Sequence, residues 1–194
     1  MSYEKRECYF KNGNIRCEVH LVNHKRHRED GPAYVEYYTN GNIESEEYYI
    51  DNNFHREDGP AIIEYYENGN IRYEKYYIND RCHRIDGPAA VKYCEDGKID
   101  NEIYFINGKI HRDDGPAYIK HDVYGNVIWF EYWINDIDVT NVYNKYKTGL
   151  TKKAISAQRR MEPLLIMKFI CKKNNNQELL DFVESRIITL ELSK

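Results

Sequence analysis

A chain that repeats itself without drift has few folds open to it, and this one repeats every 28 residues. His27, His55, His83 and His111 keep that step, as do Arg28, Arg56, Arg84 and Arg112. So do Asp30, Asp58, Asp86 and Asp114, and the Gly-Pro-Ala triplets that begin at Gly31, Gly59, Gly87 and Gly115. A second glycine series runs through Gly13, Gly41, Gly69, Gly97 and Gly125. No insertion interrupts any series, which is what neighbouring segments stacked in register require. The chain therefore reads as four such repeats with a partial fifth.

Each repeat reads as strand, turn, strand, turn. In the second, Gly59-Pro60-Ala61 opens a strand that runs to Tyr66, and Asn68-Gly69 turns the chain. Ile71 to Ile78 forms the return strand, Asn79-Asp80 turns again, and Arg81 to Arg84 adds a short third strand. The equivalent dipeptide in the next repeat is Asn107-Gly108, suited to a type I′ hairpin because both central residues need positive φ. Proline cannot donate to a ladder, so Gly-Pro marks a strand start.

The apolar columns support strands. Val35, Ile63, Val91 and Ile119 form one, and Ile43, Ile71, Ile99 and Val127 another. Tyrosine is abundant, with 17 of the 19 before residue 140, which favours sheet over helix. Three adjacent columns follow Tyr48, Tyr49 and Ile50 through the repeats, and three neighbours on a strand cannot all face one side. The column Tyr48, Tyr76, Tyr104 and Tyr132 is thus a candidate binding face. The alternative is an ordinary half-exposed tyrosine ladder.

Tyr104-Phe-Ile-Asn-Gly-Lys-Ile-His-Arg-Asp-Asp-Gly-Pro-Ala117 resembles the MORN (membrane occupation and recognition nexus) repeat. The His-Arg-x-Asp-Gly-Pro-Ala form is similar to a variant of it found in uncharacterised proteins of large DNA viruses and some bacteria. The resemblance covers residues 1 to about 137. It implies an antiparallel β-meander used in protein contacts, dimerisation and sometimes membrane-proximal roles. Arg-x-Asp-Gly-Pro stands where the family carries Gly-x-Gly, and the period here is longer.

The repeated His, Arg and Asp invite a catalytic or metal reading, which spacing disfavours. Adjacent strands are about 4.8 Å apart, so equivalent side chains in successive repeats are separated by about 10–15 Å. Zinc needs its ligands within about 2–2.3 Å of one ion. The expected role is structural: Asp caps the Gly-Pro turn, Arg pairs with it, and His donates to a backbone carbonyl. A row of His-Arg pairs reading an anionic partner is the minor alternative. Glu46, Glu47, Glu74 and Glu102 are read as a solvated strand face. No phosphate loop, nucleophile elbow or zinc-protease motif is present, so an enzyme and a cofactor are not expected.

Charge divides the chain near residue 139. Residues 1–139 hold 17 Lys+Arg against 27 Asp+Glu, and residues 140–173 hold 9 against 1. An acidic array is repelled by anionic lipid, so a membrane partner is not expected. The basic stretch includes Lys145, Lys147, Lys152, Lys153, Arg159 and Arg160, a candidate patch for nucleic-acid phosphates or for packing against the acidic array. Helical patterning falls around Lys152 to Arg160, over Met161 to Lys173, and after Asn176. The last repeat carries Ile128, Trp129 and Phe130 where the second has Arg72, Tyr73 and Glu74, which calls for a cap.

The five cysteines are odd in number and form no CxxC, and no N-terminal leader pattern precedes them. A reducing, intracellular, cytoplasmic setting is expected, with host cytoplasm or virion the equivalent for a viral protein. Together these readings give a mainly β fold: an elongated antiparallel meander over 1–139, of about ten strands at two per repeat, with a small helical C-terminal cap over 140–194. The expected function is a non-enzymatic scaffold for protein–protein interaction, with self-association open to it. The alternative is nucleic-acid binding through the basic segment.

Overall fold

A computed structural model describes residues 2–141 together with Lys168, Asp181 and Glu184. It divides into two compact units: Met1–Gly108 with Lys120–Ile128, and Lys109–Ile119 with Trp129–Lys194. The structure is mainly β. The strands are β1 (Tyr3–Tyr9), β2 (Ile15–Val22), β3 (Lys25–Arg26), β4 (Tyr34–Tyr37), β5 (Ile43–Glu47), β6 (Tyr49–Ile50) and β7 (Asn53–Phe54). They continue as β8 (Ile62–Tyr65), β9 (Ile71–Lys75), β10 (Tyr77–Ile78), β11 (Arg81–Cys82), β12 (Ala90–Tyr93), β13 (Ile99–Ile103), β14 (Phe105–Ile106) and β15 (Lys109–Ile110). The last are β16 (Tyr118–His121), β17 (Val127–Glu131), β18 (Trp133–Ile134) and β19 (Ile137–Asp138).

In the first unit the long strands pair antiparallel in the order β1-β2-β4-β5-β8-β9-β12-β13, a meander of hairpins. Each long hairpin closes on a glycine with φ between +83° and +90°, and the residue before it (Asn12, Asn40, Asn68 and Asp96 in turn) keeps an ordinary φ. The Gly41 N–H donates to the Tyr38 carbonyl at 2.9 Å, and that of Tyr38 to the Asn42 carbonyl at 2.8 Å. This is the three-residue loop with a left-handed glycine, so Asn-Gly does not form a type I′ turn here. The type I′ turns sit in the short hairpins, where both central residues have positive φ: Asp51-Asn52, Asn79-Asp80 and Asn107-Gly108. Asn and Asp tolerate that region because their short side chains bond locally.

The return strand is not continuous from Ile71 to Ile78. It breaks at Tyr76, whose N–H donates sideways to the Ala89 carbonyl and whose carbonyl accepts from the His83 N–H. Past that break the short hairpins make a ladder of their own. The Asp80 N–H donates to the Phe54 carbonyl and that of Gly108 to Cys82, while Arg56 donates to Tyr77 and Arg84 to Phe105. The bend resolves the three adjacent apolar columns, because the chain changes ladder between them. Tyr49, Phe54 and Tyr77 then stack, with ring centroids 4.3 Å and 5.3 Å apart.

The alanine of every Gly-Pro-Ala is fully buried: Ala33, Ala61, Ala89 and Ala117 are all 0% exposed. Glu18, Val35, Glu46, Ile63, Glu74, Val91 and Glu102 stand opposite one another in one row across the sheet. Glu46, Glu74 and Glu102 are therefore half-buried beside the core and not a solvated face. Tyr65 donates its hydroxyl to Glu46 at 2.7 Å and Tyr93 to Glu74 at 2.8 Å. Burial first, and the carboxylate second, push both phenols well above the usual tyrosine range.

Cys8 and Cys17 face each other across β1 and β2, Cα atoms 5.1 Å apart, and are joined as a disulfide. A spacing of nine residues does not advertise it, and the strand register creates it.

In the second unit the Arg112 N–H donates to the Trp133 carbonyl, that of Asp136 to Ile110, and that of Ala117 to Glu131. Ile134 and Val139 are buried, and the Tyr132 N–H, which in earlier repeats would meet an alanine carbonyl, is taken by the Thr140 hydroxyl at 3.0 Å. Ile128, Trp129 and Phe130 remain exposed. Lys168 Nζ lies 3.1 Å from Glu184 Oε1, and both residues are helical. The expected helical cap otherwise lies outside the described residues.

Candidate functional site

The row of His-Arg-x-Asp-Gly-Pro-Ala turns is the chemically richest feature, and its geometry follows from the glycine. A Cβ on Gly59 would stand 3.0 Å from Arg56 Cζ, so the bare Cα leaves the guanidinium room to fold back onto the turn. Arg56 Nε then donates to Asp58 Oδ1 at 2.8 Å and Nη1 to the Pro60 carbonyl at 3.4 Å. Its plane lies 4.0 Å from the Tyr48 ring centre. Arg84 repeats this with Asp86, Pro88 and Tyr76, at 4.2 Å from the ring. Arg28 pairs with Asp30 and Arg112 with Asp114, each at 2.8 Å. Each pair lies within one turn, so no ladder of Arg and Asp runs between turns.

The histidine Nδ1 atoms meet backbone amides of the next short hairpin where donation to a carbonyl was expected, and His27 and His55 also meet the Oδ1 of Asp51 and Asn79 at 3.3 and 3.0 Å. The Asn107 N–H donates to His83 Nδ1 at 3.1 Å, and those of Asp51, Asn79 and Asn135 do the same to His27, His55 and His111 at 3.3, 3.4 and 3.3 Å. Where the amide is the Nδ1 partner, as at His83 and His111, a neutral ring carries its proton on Nε2. Nε2 faces the carboxylate two residues on, at 3.7 Å for His27 and Glu29, 3.8 Å for His55 and Glu57, and 2.8 Å for His111 and Asp113. Each histidine thus ties one turn to the short hairpin of the following repeat.

The consequence is an inverted electrostatic surface. Arginine is the buried member of each pair and aspartate the exposed one: Arg56 is 24% exposed and Asp58 84%. The arginine beside Asp30, Asp58 and Asp86 holds these carboxyls below the usual range. What the first three turns show to solvent is carboxylate, so a row of free arginines for an anionic partner is absent there.

The tyrosine column is largely occupied. Tyr132 is buried, and Tyr48 and Tyr76 lie under arginine. Tyr104 is half-buried. Among the described residues no group of three or more His, Cys, Asp or Glu is placed to hold a metal ion. Lys145, Lys147, Lys152, Lys153, Arg159 and Arg160 lie outside the described residues.

The partial first repeat carries a residue that sequence reading passed over. His20 occupies the tyrosine column and is buried. Arg28 Nη1 donates to its Nε2 at 3.1 Å, and the Tyr3 hydroxyl is 2.6 Å from Nδ1. Burial, then the charges of Arg28 and Lys5, hold its pKa below the usual imidazole range, with Glu18 and Asp30 opposing. As pH falls the unfolded chain takes up this proton first, so stability is complete above about pH 6.5 and declines below it. Urea midpoints should fall between pH 7.5 and 5.5 in the parent and change less in His20→Tyr; equal slopes would remove His20 as the cause.

The fold and its turn row define an antiparallel β-repeat protein whose repeated polar residues are engaged in its own turns. Two repeats, residues 33–51 and 62–79, match the MORN repeat variant. Both segments run from a long hairpin through the break into the short one. MORN repeats are commonly protein-interaction or membrane-binding elements, and the family is generally non-enzymatic. No curated protein and no solved structure matches the chain.

Proposed function

We propose that this chain is a non-enzymatic scaffold that works by protein–protein contact, including contact with a second copy through β1. The observation that carries the reading is the outer edge of β1: seven residues pair with β2 on one side, and no described strand takes the other. An unpaired edge is a template for another strand. Its charges select how it is filled. An antiparallel pairing centred on Lys5 sets each Glu4 opposite an Arg6, and the Lys5–Lys5 contact at its centre is offset by Glu7 and Glu18, which lie 2.8 Å and 3.2 Å from each Lys5 ammonium.

Light scattering tests this directly. The parent should be a dimer, Arg6→Glu a monomer, and Glu4→Arg/Arg6→Glu a dimer again. A parent that stays monomeric at high concentration overturns self-association. The acidic balance of residues 1–139 favours a protein partner over an anionic membrane. The excess of positive charge over 140–173 supports a second reading, nucleic-acid binding, which would show as steep salt dependence lost on deleting that segment.

A further inference from the structure

A groove of ≈ 360 Å³ opens between the second and third turns. Tyr76 and Ile78 lie at its base, and its rim carries Ile85 with Glu57, Asp58 and Asp86. Ile85 is 85% exposed, an apolar side chain where the first two turns have glutamate. A second groove of ≈ 410 Å³ shares Ile78 and His83 with the first and adds Asn79, Arg81 and Asn107. The shared residues make the two one trough.

We propose that this trough binds an extended, basic peptide segment of a partner protein, a reading that rests on the scaffold function above and names the partner class. The rim supplies the charge. Asp58 and Asp86 each engage their own arginine through one oxygen, Oδ1, and are more than four-fifths exposed. Glu57 is 82% exposed, with His55 no nearer than 3.8 Å. A lysine or arginine side chain meets both demands of the first groove: its methylene stem covers Ile78 and Ile85, and its cationic head reaches the carboxylates. The second groove fits main chain, because the Asn79 and Asn107 carboxamides can each donate and accept and Arg81 can donate to carbonyls. Equivalent turns are two strands apart, about 9.6 Å, close to the ~9.3 Å that a peptide in the polyproline II conformation advances in one three-residue turn, which returns every third side chain to the same face. A cationic side chain every third residue therefore matches the step between turns.

The test uses the full isotope-labelled chain and two neutral-background 12-residue peptides, one with lysine at every third position and one with the same lysines clustered. The spaced peptide should shift amide signals of residues 56–59, 76–86 and 107, and bind at least tenfold more tightly than the clustered one. The exposed double variant Glu57→Lys/Ile85→Ser should lose at least tenfold in affinity with an unchanged melting profile. Shifts spread over the whole acidic surface, equal affinity for both peptides, or no binding each overturn the proposal. Light scattering on the same samples separates the two readings, since a dimer that ignores the peptide leaves the scaffold standing and removes the trough.

Discussion

Ala61→Leu should unfold or severely destabilise the array. Ala61 is 0% exposed, its N–H donates to the Lys75 carbonyl at 2.9 Å, and its carbonyl accepts from the Tyr48 N–H at 2.8 Å. The backbone at this point is held from both sides, so it cannot yield to a larger side chain. Overpacking a tight site costs about 1–3 kcal/mol and sometimes more. A loss of about 3 kcal/mol or above is expected in urea denaturation. Ala61→Gly removes only a methyl and adds chain entropy, so it should cost about 0.5–1 kcal/mol. If leucine is tolerated as well as glycine, the packing account of the Gly-Pro-Ala step is wrong. Because each repeat contacts its neighbours, hydrogen exchange should rise first in β5, β8 and β9.

The second large effect is expected at Arg56. Its guanidinium lies over Tyr48, donates to the Pro60 carbonyl and fills the space above Gly59. A partly desolvated cation–π contact contributes about 0.5–2 kcal/mol and a hydrogen bond about 1 kcal/mol, so Arg56→Ala should cost about 2–3 kcal/mol. Arg56→Lys should recover less than half, because the flat plate and forked donors make the fit, not the charge. Asp58→Asn should change stability little, since that carboxylate is exposed and screened. Thermal melts of the three variants decide the matter: a lysine variant as stable as the parent would reduce the contact to simple charge pairing.

The hairpins were legible in the residues themselves. A glycine with φ near +90° and Asn or Asp pairs with positive φ are local demands, and the chain states them at every repeat. The antiparallel meander follows, because short turns between alternating segments leave adjacent strands no other pairing. The columns also identified the buried valine and isoleucine row. The misreadings share one cause. Glu46 reads as surface because its neighbours in sequence are polar, yet its neighbours in space are Val35 and Ile63. His83 was expected to donate, and its partner is an amide 24 residues away.

Sequence alone therefore determined the strand class, the turn positions and the residues that recur, since backbone sterics and apolar alternation act over a few residues. Tertiary structure decided what those residues do. Strand register set Cys8 against Cys17, and a bend at Tyr76 moved the chain between ladders. The fold-back of arginine over tyrosine left aspartate as the exposed charge. Each of these rests on a contact between segments far apart in the chain, and such contacts exist only once the repeats have stacked.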